Sequence, residues 1–409
     1  MLSLLAAPGI EHAPEQVIEI EGLPQPVLRV AAIYGANASG KSNLVQALAM
    51  ARALVLEGTR PDLPIAVVPF KLDPRTPRKP SRFEFELWAE GRRWSYGFAC
   101  TTERIEAEWL FVDAGDGELN VFERSPGEDE QLSIAIGPAL DLDAEQRQFW
   151  RFVAKGTRDN QLFLAEARER NVEELRSFLA LIRDSLSVMA AEDRYDDLVE
   201  QLEQRPDLLT FTSELLRDAG TGVAQVEIKS GIRVRKGDRL NLEGRSFEDW
   251  MLDQARKRRI VFRHQGTGHS EGNVLRDYDY VHTGKDGIVM EEAEESDGTR
   301  RLLDLSPTLF SLMHSPTTVV LDEIDRSLHT LLSRNLIEHF LSSDPTTGGQ
   351  LIFTTHDTNL LDLELLSYDS IWFVEKDRSS GSSIYPLAEF KPDRTTRPSF
   401  ERSATPSRR

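Results

Sequence analysis

The run Gly35, Ala36, Asn37, Ala38, Ser39, Gly40, Lys41, Ser42 reads G-x-x-x-x-G-K-S, and few eight-residue patterns constrain a fold so tightly. Its glycines let successive backbone N–H groups turn inward around a polyphosphate. Lys41 can then reach the outer phosphates, and the Ser42 hydroxyl can ligate Mg²⁺. Such a loop works where a strand delivers it and a helix carries it away, because the helix N-terminus adds its dipole to the anion site. Both neighbours are legible. Residues 27–34 (V-L-R-V-A-A-I-Y) form a short apolar run suited to a buried parallel strand, and Leu44, Leu48, Ala51 and Val55 recur at helical spacing behind the loop. A glycine-rich turn with no ligand is the competing reading, and it leaves that context without a reason.

A second chemical group stands near the far end of the chain. Residues 317–321 (T-T-V-V-L) form a β-branched apolar run that ends in Asp322 and Glu323. Carboxyl ends of parallel strands line the ligand crevice, so these carboxylates are expected beside the phosphate loop. Asp322 would hold the Mg²⁺ shell and Glu323 would polarise an attacking water. An acidic pair after a strand is often only a turn; the loop in the same chain gives it the chemical reading. A further strand, residues 350–354 (Q-L-I-F-T), leads to His356, which is thereby placed at the same edge for a γ-phosphate or water contact.

Between these groups the pattern changes twice. Residues 61–80 are proline-rich with a basic tail, a connecting loop by composition. Phe83, Phe85 and Leu87, then Trp94, Tyr96 and Phe98, then Ile105, Ala107, Trp109 and Phe111 alternate with polar residues; with a fourth strand over 119–122, they predict an antiparallel meander. From 141 to 219 the period is helical and no heptads persist, which predicts a helical lobe without a long coiled coil. Residues 223–229 read as a strand. The basic run Arg256, Lys257, Arg258, Arg259 and Arg263, broken by Ile260, Val261 and Phe262, is either a solvated face or a nucleic-acid phosphate contact. Three segments are expected: an N-terminal lobe over 1–140, a helical lobe with an insertion over 141–290, and a C-terminal lobe over 291–409.

With 409 residues, 40% of them hydrophobic and 29% charged, the chain can bury a large core. A single cysteine, Cys100, excludes a disulfide framework and a cysteine-based zinc site, and fits a reducing cytosol. The net charge of -19 argues against a surface coated in nucleic acid, though it permits a local basic groove. The apolar N-terminal octet lacks a positive flank and meets Glu11 at once, so no signal peptide is expected. No apolar stretch approaches the roughly 20 residues of a membrane span.

Together these motifs resemble ABC-type ATPase heads of the SMC, RecF and RecN kind, and in particular the single-chain AAA-like ATP-binding proteins of bacterial defence islands, the RloA-like and OLD-like groups. The resemblance covers most of the chain. Its most specific stretches are 294–305 (E-E-S-D-G-T-R-R-L-L-D-L) and 353–362 (F-T-T-H-D-T-N-L-L-D). It implies an α/β fold, a P-loop NTPase ABC-type head with an antiparallel β-meander subdomain and an inserted helical lobe. Residues 35–42 would be Walker A, Asp322 and Glu323 the end of Walker B, residues 324–329 the D-loop and His356 the switch histidine. Gln161, before the apolar triplet Leu162, Phe163 and Leu164, would be the Q-loop glutamine at the metal. Ser296 and Gly298, in a degenerate signature E-S-D-G-T, would contact the γ-phosphate of ATP held by the opposite subunit, from the start of the following helix.

The resemblance also implies ATP and Mg²⁺ as cofactors, a homodimer or higher oligomer, a cytoplasmic location, possible DNA contact and a separately encoded nuclease effector in anti-phage defence. Relatives of this type begin with a strand carrying Asn-Phe and continue past the polar tail over 403–409, so an edge strand is expected to be missing here. The 255 positions from Lys41 to Ser296 exceed transporter spacing and leave room for the meander and helical lobe. The 53 residues after His356 predict no fused nuclease. A DNA-repair head of the RecF or SMC kind would share every motif and show DNA-stimulated turnover. A slow-hydrolysing nucleotide-gated sensor or scaffold would stall in a stable ATP-bound oligomer.

Overall fold

Val30–Tyr34 (β3) is buried at all five positions, the condition of a central strand in a sheet covered on both faces. The structure is a computed structural model that describes residues 1–74, 76–77, 79–113, 115, 117–127, 132–195, 197–230, 258–264, 288–378 and 380–390. Ahead of β3, Val17–Ile18 (β1) pairs antiparallel with Val27–Leu28 (β2). Behind it runs the helix Lys41–Leu56 (α1), which buries Val45, Ala51, Leu54, Val55 and Leu56. Gly58, just past the end of α1, has φ +73°, the left-handed conformation that lets the chain leave the helix.

The predicted meander is present, with a fifth strand added. Ser81–Ala89 (β4), Arg92–Cys100 (β5), Ile105–Asp113 (β6), Glu118–Pro126 (β7) and Leu132–Ile136 (β8) pair antiparallel in sequence order. The last of these alternates half-buried with exposed positions. Its L-S-I-A-I pattern is too short and too weakly buried to stand out after the charged segment before it. The helices Ala144–Gly156 (α2), Phe163–Glu169 (α3) and Arg176–Ser185 (α4) follow, and their apolar faces share one core with the meander through Trp94, Phe98, Phe122, Trp150, Phe163 and Phe178. Burial in that core pushes the Cys100 thiol up to about 12, so its reactive thiolate is suppressed.

Directly after α4 the chain adopts a strand, Leu186–Met189 (β9), where a continuous helical lobe was expected. Four residues with no glycine or proline before them give no local signal; β9 forms because it pairs in parallel with Thr318–Leu321 (β13). With Gln350–Thr355 (β14), Ile371–Lys376 (β15) and Ser382–Pro386 (β16), these strands complete a six-stranded sheet in the order β16-β15-β3-β14-β13-β9, parallel except at the β16 edge. The architecture is thus α/β, as expected, with an antiparallel meander and a mostly parallel sheet. The chain divides into two compact units, one of Met1–Ala190, Thr318–Glu323 and Gln350–Arg409, the other of Ala191–Thr317 and Ile324–Gly349.

Within the second unit, Leu198–Gln204 (α5) and Pro206–Asp218 (α6) precede an antiparallel sheet of Val223–Ser230 (β10), Arg258–His264 (β11) and Ile288–Glu291 (β12). The basic run lies partly on β11. There Ile260, Val261 and Phe262 are buried and the Arg263 guanidinium pairs with Glu227 on β10, at 2.6 and 2.7 Å. Arg256 and Lys257, and the side chains of Arg258 and Arg259, lie outside the described residues. Among the described residues no helix is long and apolar enough to cross a membrane.

One buried polar cluster ties the meander to α3. The Glu108 carboxylate on β6, wholly buried, accepts from Phe163 N at 2.5 Å, Leu164 N at 3.0 Å and the Tyr96 hydroxyl at 3.1 Å, which satisfies orphan donors at the start of α3. Arg124 on β7, also buried, donates to Gln161 O at 2.8 Å. Burial raises the Glu108 pKa, while the Arg124 charge and the two backbone donors act against that shift. Replacing Glu108 with Ala should therefore strip the α3 donors of their acceptor and leave Arg124 without its buried counter-charge. The expected loss is about 3 to 5 kcal/mol of stability, read as a fall in the urea midpoint at unchanged slope. An unchanged midpoint would show that the cluster is not a structural tie.

Candidate functional site

Between the end of β3 and the start of α1 the loop is drawn tight against its surroundings. Ala38 has φ +62° and Gly40 φ +111°, which turns the backbone inward. A Cβ at Gly35 would stand 2.5 Å from Val374 O on β15, and one at Gly40 would stand 2.6 Å from the Ser382 hydroxyl on β16. That hydroxyl donates to Ser39 O at 2.6 Å. Glycine is thus demanded at both positions by the neighbouring hairpin as well as by any ligand. The Ser39 hydroxyl is itself buried without a hydrogen-bond partner among the described residues.

Lys41 opens α1 and is 4% exposed. Its ammonium donates to Gly35 O at 2.7 Å and approaches Ala36 O at 3.4 Å and His356 Nδ1 at 3.2 Å. An ammonium has only donors, so His356 Nδ1 acts as the acceptor and the ring proton sits on Nε2. Nε2 in turn faces Glu323 Oε1 at 3.7 Å. Lysine, imidazole and carboxylate therefore stand in sequence across the mouth of the loop.

The two acidic residues follow β13 as expected, and one hydroxyl fixes both. Thr354 Oγ1, fully buried on β14, donates to Asp322 Oδ1 at 2.6 Å and accepts from Glu323 N at 2.8 Å. Glu323 has φ +50°, a strained conformation for a side-chain-bearing residue, which these bonds hold in place. Asp322 is 5% exposed and its backbone N–H bonds Met189 O on β9 at 3.0 Å. The loop residues 37–43, Glu323, His356 and Lys376 enclose an open cavity of about 710 Å³. Its size suits a small charged ligand.

Lys376 was missed in the sequence. It ends β15 beside β3, and the strand-end rule that located Glu323 and His356 would have found it had 371–376 been read as a third parallel strand.

Gln161 must be corrected. Its side-chain oxygen accepts from Thr59 N at 2.7 Å and Thr59 Oγ1 at 2.6 Å, just past the far end of α1. Lys41 opens that sixteen-residue helix, about 24 Å long at 1.5 Å per residue, so Gln161 stands at the opposite end from the loop. The apolar triplet after Gln161 is core, with Leu162, Phe163 and Leu164 each at most 1% exposed, and it draws Gln161 into the meander–helix packing and away from the metal position.

Ser296 and Gly298 belong to the second unit. Ser296 caps the helix Asp297–His314, its hydroxyl accepting from Thr299 N at 3.1 Å. A Cβ at Gly298 would lie 3.0 Å from Ser327 O, so the expected signature and D-loop pack against each other. Arg326 of that loop bonds Glu192 at 2.9 Å.

Among the described residues no cluster of three or more histidine, cysteine or carboxylate groups could cage a metal alone. Mg²⁺ keeps waters and phosphate oxygens and asks the protein for one or two ligands; of the two expected ones, Ser42 lines the cavity, while Asp322 is buried with its Oδ1 bonded by Thr354 and is not among the lining residues. The inward-turned backbone at Ala38 and Gly40 and the Lys41 ammonium beside it fit a polyphosphate partner for that ion.

Residues 30–362 match the family described as "AAA domain, putative AbiEii toxin, Type IV TA system". No curated protein matches the chain. Among solved structures, the SMC head domain from Thermotoga maritima is 13% identical and pairs 90% of this chain with 97% of its own at a TM-score of 0.35. An SMC head bound to the C-winged helix domain of ScpA is 13% identical and pairs 88% with 91% at 0.40. Likenesses that distant carry no weight for activity.

The Thr354 bridge can be tested directly. Thr354→Val keeps the shape and removes the hydroxyl, leaving the buried Asp322 carboxylate and the Glu323 N–H each short of a partner. A loss of about 1 to 3 kcal/mol is expected in chemical denaturation. A stability equal to that of the unsubstituted protein would mean that the bridge fixes neither residue.

Proposed function

The chain belongs to the AAA-domain family described for putative AbiEii toxins of type IV TA systems, and on that premise we propose that it binds Mg²⁺·ATP at residues 35–42 and hydrolyses it to ADP and phosphate as an ABC-type head. The observation that carries this reading is the convergence of Lys41, Glu323 and His356 on one cavity formed by the phosphate loop. Backbone N–H groups of the loop would hold the phosphates, and Lys41 would move its ammonium from Gly35 O to the outer phosphate oxygens. Bound Mg²⁺, held by Ser42 and Asp322, would neutralise charge on those oxygens. Glu323 would polarise the attacking water, with its carboxylate aimed by the backbone that Thr354 holds. His356 would turn its Nε2–H toward the developing charge once Lys41 leaves Nδ1.

Ser296 and Gly298 would complete the ATP site of a second copy of the chain, giving an ATP-dependent dimer. The support is the position of both residues at the start of the helix Asp297–His314, where backbone N–H groups and the dipole favour a phosphate. We further assign the ATPase to a cytoplasmic anti-phage defence system in which the ATP cycle controls a separate nuclease; the family's toxin description supports a role in such antagonism. Direct DNA contact through the basic run has weaker support, because Arg263 is already paired with Glu227.

Lys41→Ala should abolish ATP turnover, and Glu323→Gln should retain ATP binding while slowing hydrolysis about a hundredfold or more, in line with the loss of a positioned base. Phosphate release and equilibrium nucleotide binding check both. Turnover by Lys41→Ala at the original rate would remove the phosphate-loop reading, and unchanged turnover by Glu323→Gln would remove the carboxylate from the chemistry.

A further inference from the structure

The cavity has a second ammonium in its wall that no motif supplies. Lys376 is exposed, ends β15 and lines the cavity with residues 37–43, Glu323 and His356. Its backbone is held by the hairpin. In the β15–β16 ladder Lys376 pairs with Ser382, and beyond it the chain reverses in a tight turn. There Asp377 N bonds Gly381 O at 2.8 Å and Gly381 N bonds the Asp377 carboxylate at 2.9 Å, while Ser380 takes φ +65°. Ser382, directly across from Lys376, is the residue whose hydroxyl holds Ser39 O. One hairpin therefore fixes the path of the phosphate loop through Ser382 and offers a cation to the same cavity through Lys376.

Charge balance gives that cation a use. A triphosphate brings up to four negative charges, and Lys41 begins with its donors directed at Gly35 O and His356 Nδ1. The cavity also contains the carboxylate of Glu323, which repels phosphate oxygens. A lysine on a ladder end can donate as a point charge to a phosphate without rearranging the backbone.

We infer that Lys376 is a second phosphate-contacting residue of the nucleotide site, recognising the polyphosphate chain and not the base, and that Ser382 positions the loop for it. This rests on the ATP reading above. It makes the β15–β16 hairpin part of the binding site, so that nucleotide occupancy and the placement of this edge of the sheet are linked.

The experiment measures Mg²⁺·ATP and Mg²⁺·GTP binding at low and high salt for the full chain and for Lys376→Ala and Lys376→Arg, with melting in the absence of nucleotide. Lys376→Ala is expected to bind both nucleotides about five- to tenfold more weakly at low salt, the scale of one exposed charge-assisted hydrogen bond. The gap should narrow at high salt, Lys376→Arg should restore most of the affinity, and melting without nucleotide should be unchanged. Lys376→Ala that binds ATP like the unsubstituted protein overturns the contact and leaves the ATP site standing. A weakening that arginine does not rescue, or that is matched by a loss of nucleotide-free stability, overturns it in favour of a structural role. An unsubstituted protein that binds no ATP overturns the reading on which the contact rests.

Discussion

The parallel register that sets Tyr34 against Thr355 on one side and Phe373 on the other is the constraint on which the site depends. β14 and β15, each more than three hundred positions from β3, are brought level with it, so that everything emerging from their carboxyl ends meets at one edge. The phosphate loop leaves β3 there, His356 leaves β14 and Lys376 closes β15. From β13, one strand farther out, come Asp322 and Glu323, tied to β14 through the Thr354 hydroxyl. A shift of one residue in the β3–β14 pairing would reverse which face each side chain takes and separate Lys41 from His356.

That alignment is paid for in backbone strain. Ala38 and Glu323 adopt left-handed conformations that cost a side-chain-bearing residue about 1 to 2 kcal/mol. Each is held by close packing. Next to Ala38, the Ser39 carbonyl is gripped by Ser382, and at Glu323 the backbone N–H is gripped by Thr354. Concentrated strain of this kind is what a preorganised site requires, because donors and acceptors already aimed at a ligand need not reorganise when it arrives. The Lys41 ammonium, resting on Gly35 O and His356 Nδ1, is the element with somewhere to go.

Much of this was legible from residue patterns. The G-x-x-x-x-G-K-S loop, the acidic pair after T-T-V-V-L and the histidine after Q-L-I-F-T each carry a local signature, and strand alternation announced the meander from Phe83 to Phe111. What could not be read depended on distant partners. β9 is a strand because β13 lies beside it, and the four residues 186–189 say little by themselves. Gln161 looked like a metal residue because a glutamine before three apolar side chains fits a motif, whereas those three side chains are core and hold it at the far end of α1. Lys376 escaped notice for another reason: 371–376 was not read as a parallel strand, so its last residue was not seen to emerge at the same edge.

The proposed two-chain mechanism requires each catalytic centre to join the phosphate loop and Glu323 of one chain to Ser296 and Gly298 of another. Mixing two inactive proteins tests it most directly: Ser296→Arg, which would fill the phosphate space from one side, and Lys41→Ala, which disables the loop from the other. In a mixed dimer both lesions fall on one centre and the second centre carries neither. The account predicts that each protein alone is inactive in ATP turnover and that the mixture recovers activity, up to half the centres in every mixed dimer. A Ser296→Arg protein that hydrolyses ATP at the original rate, or a mixture no more active than its components, would contradict it.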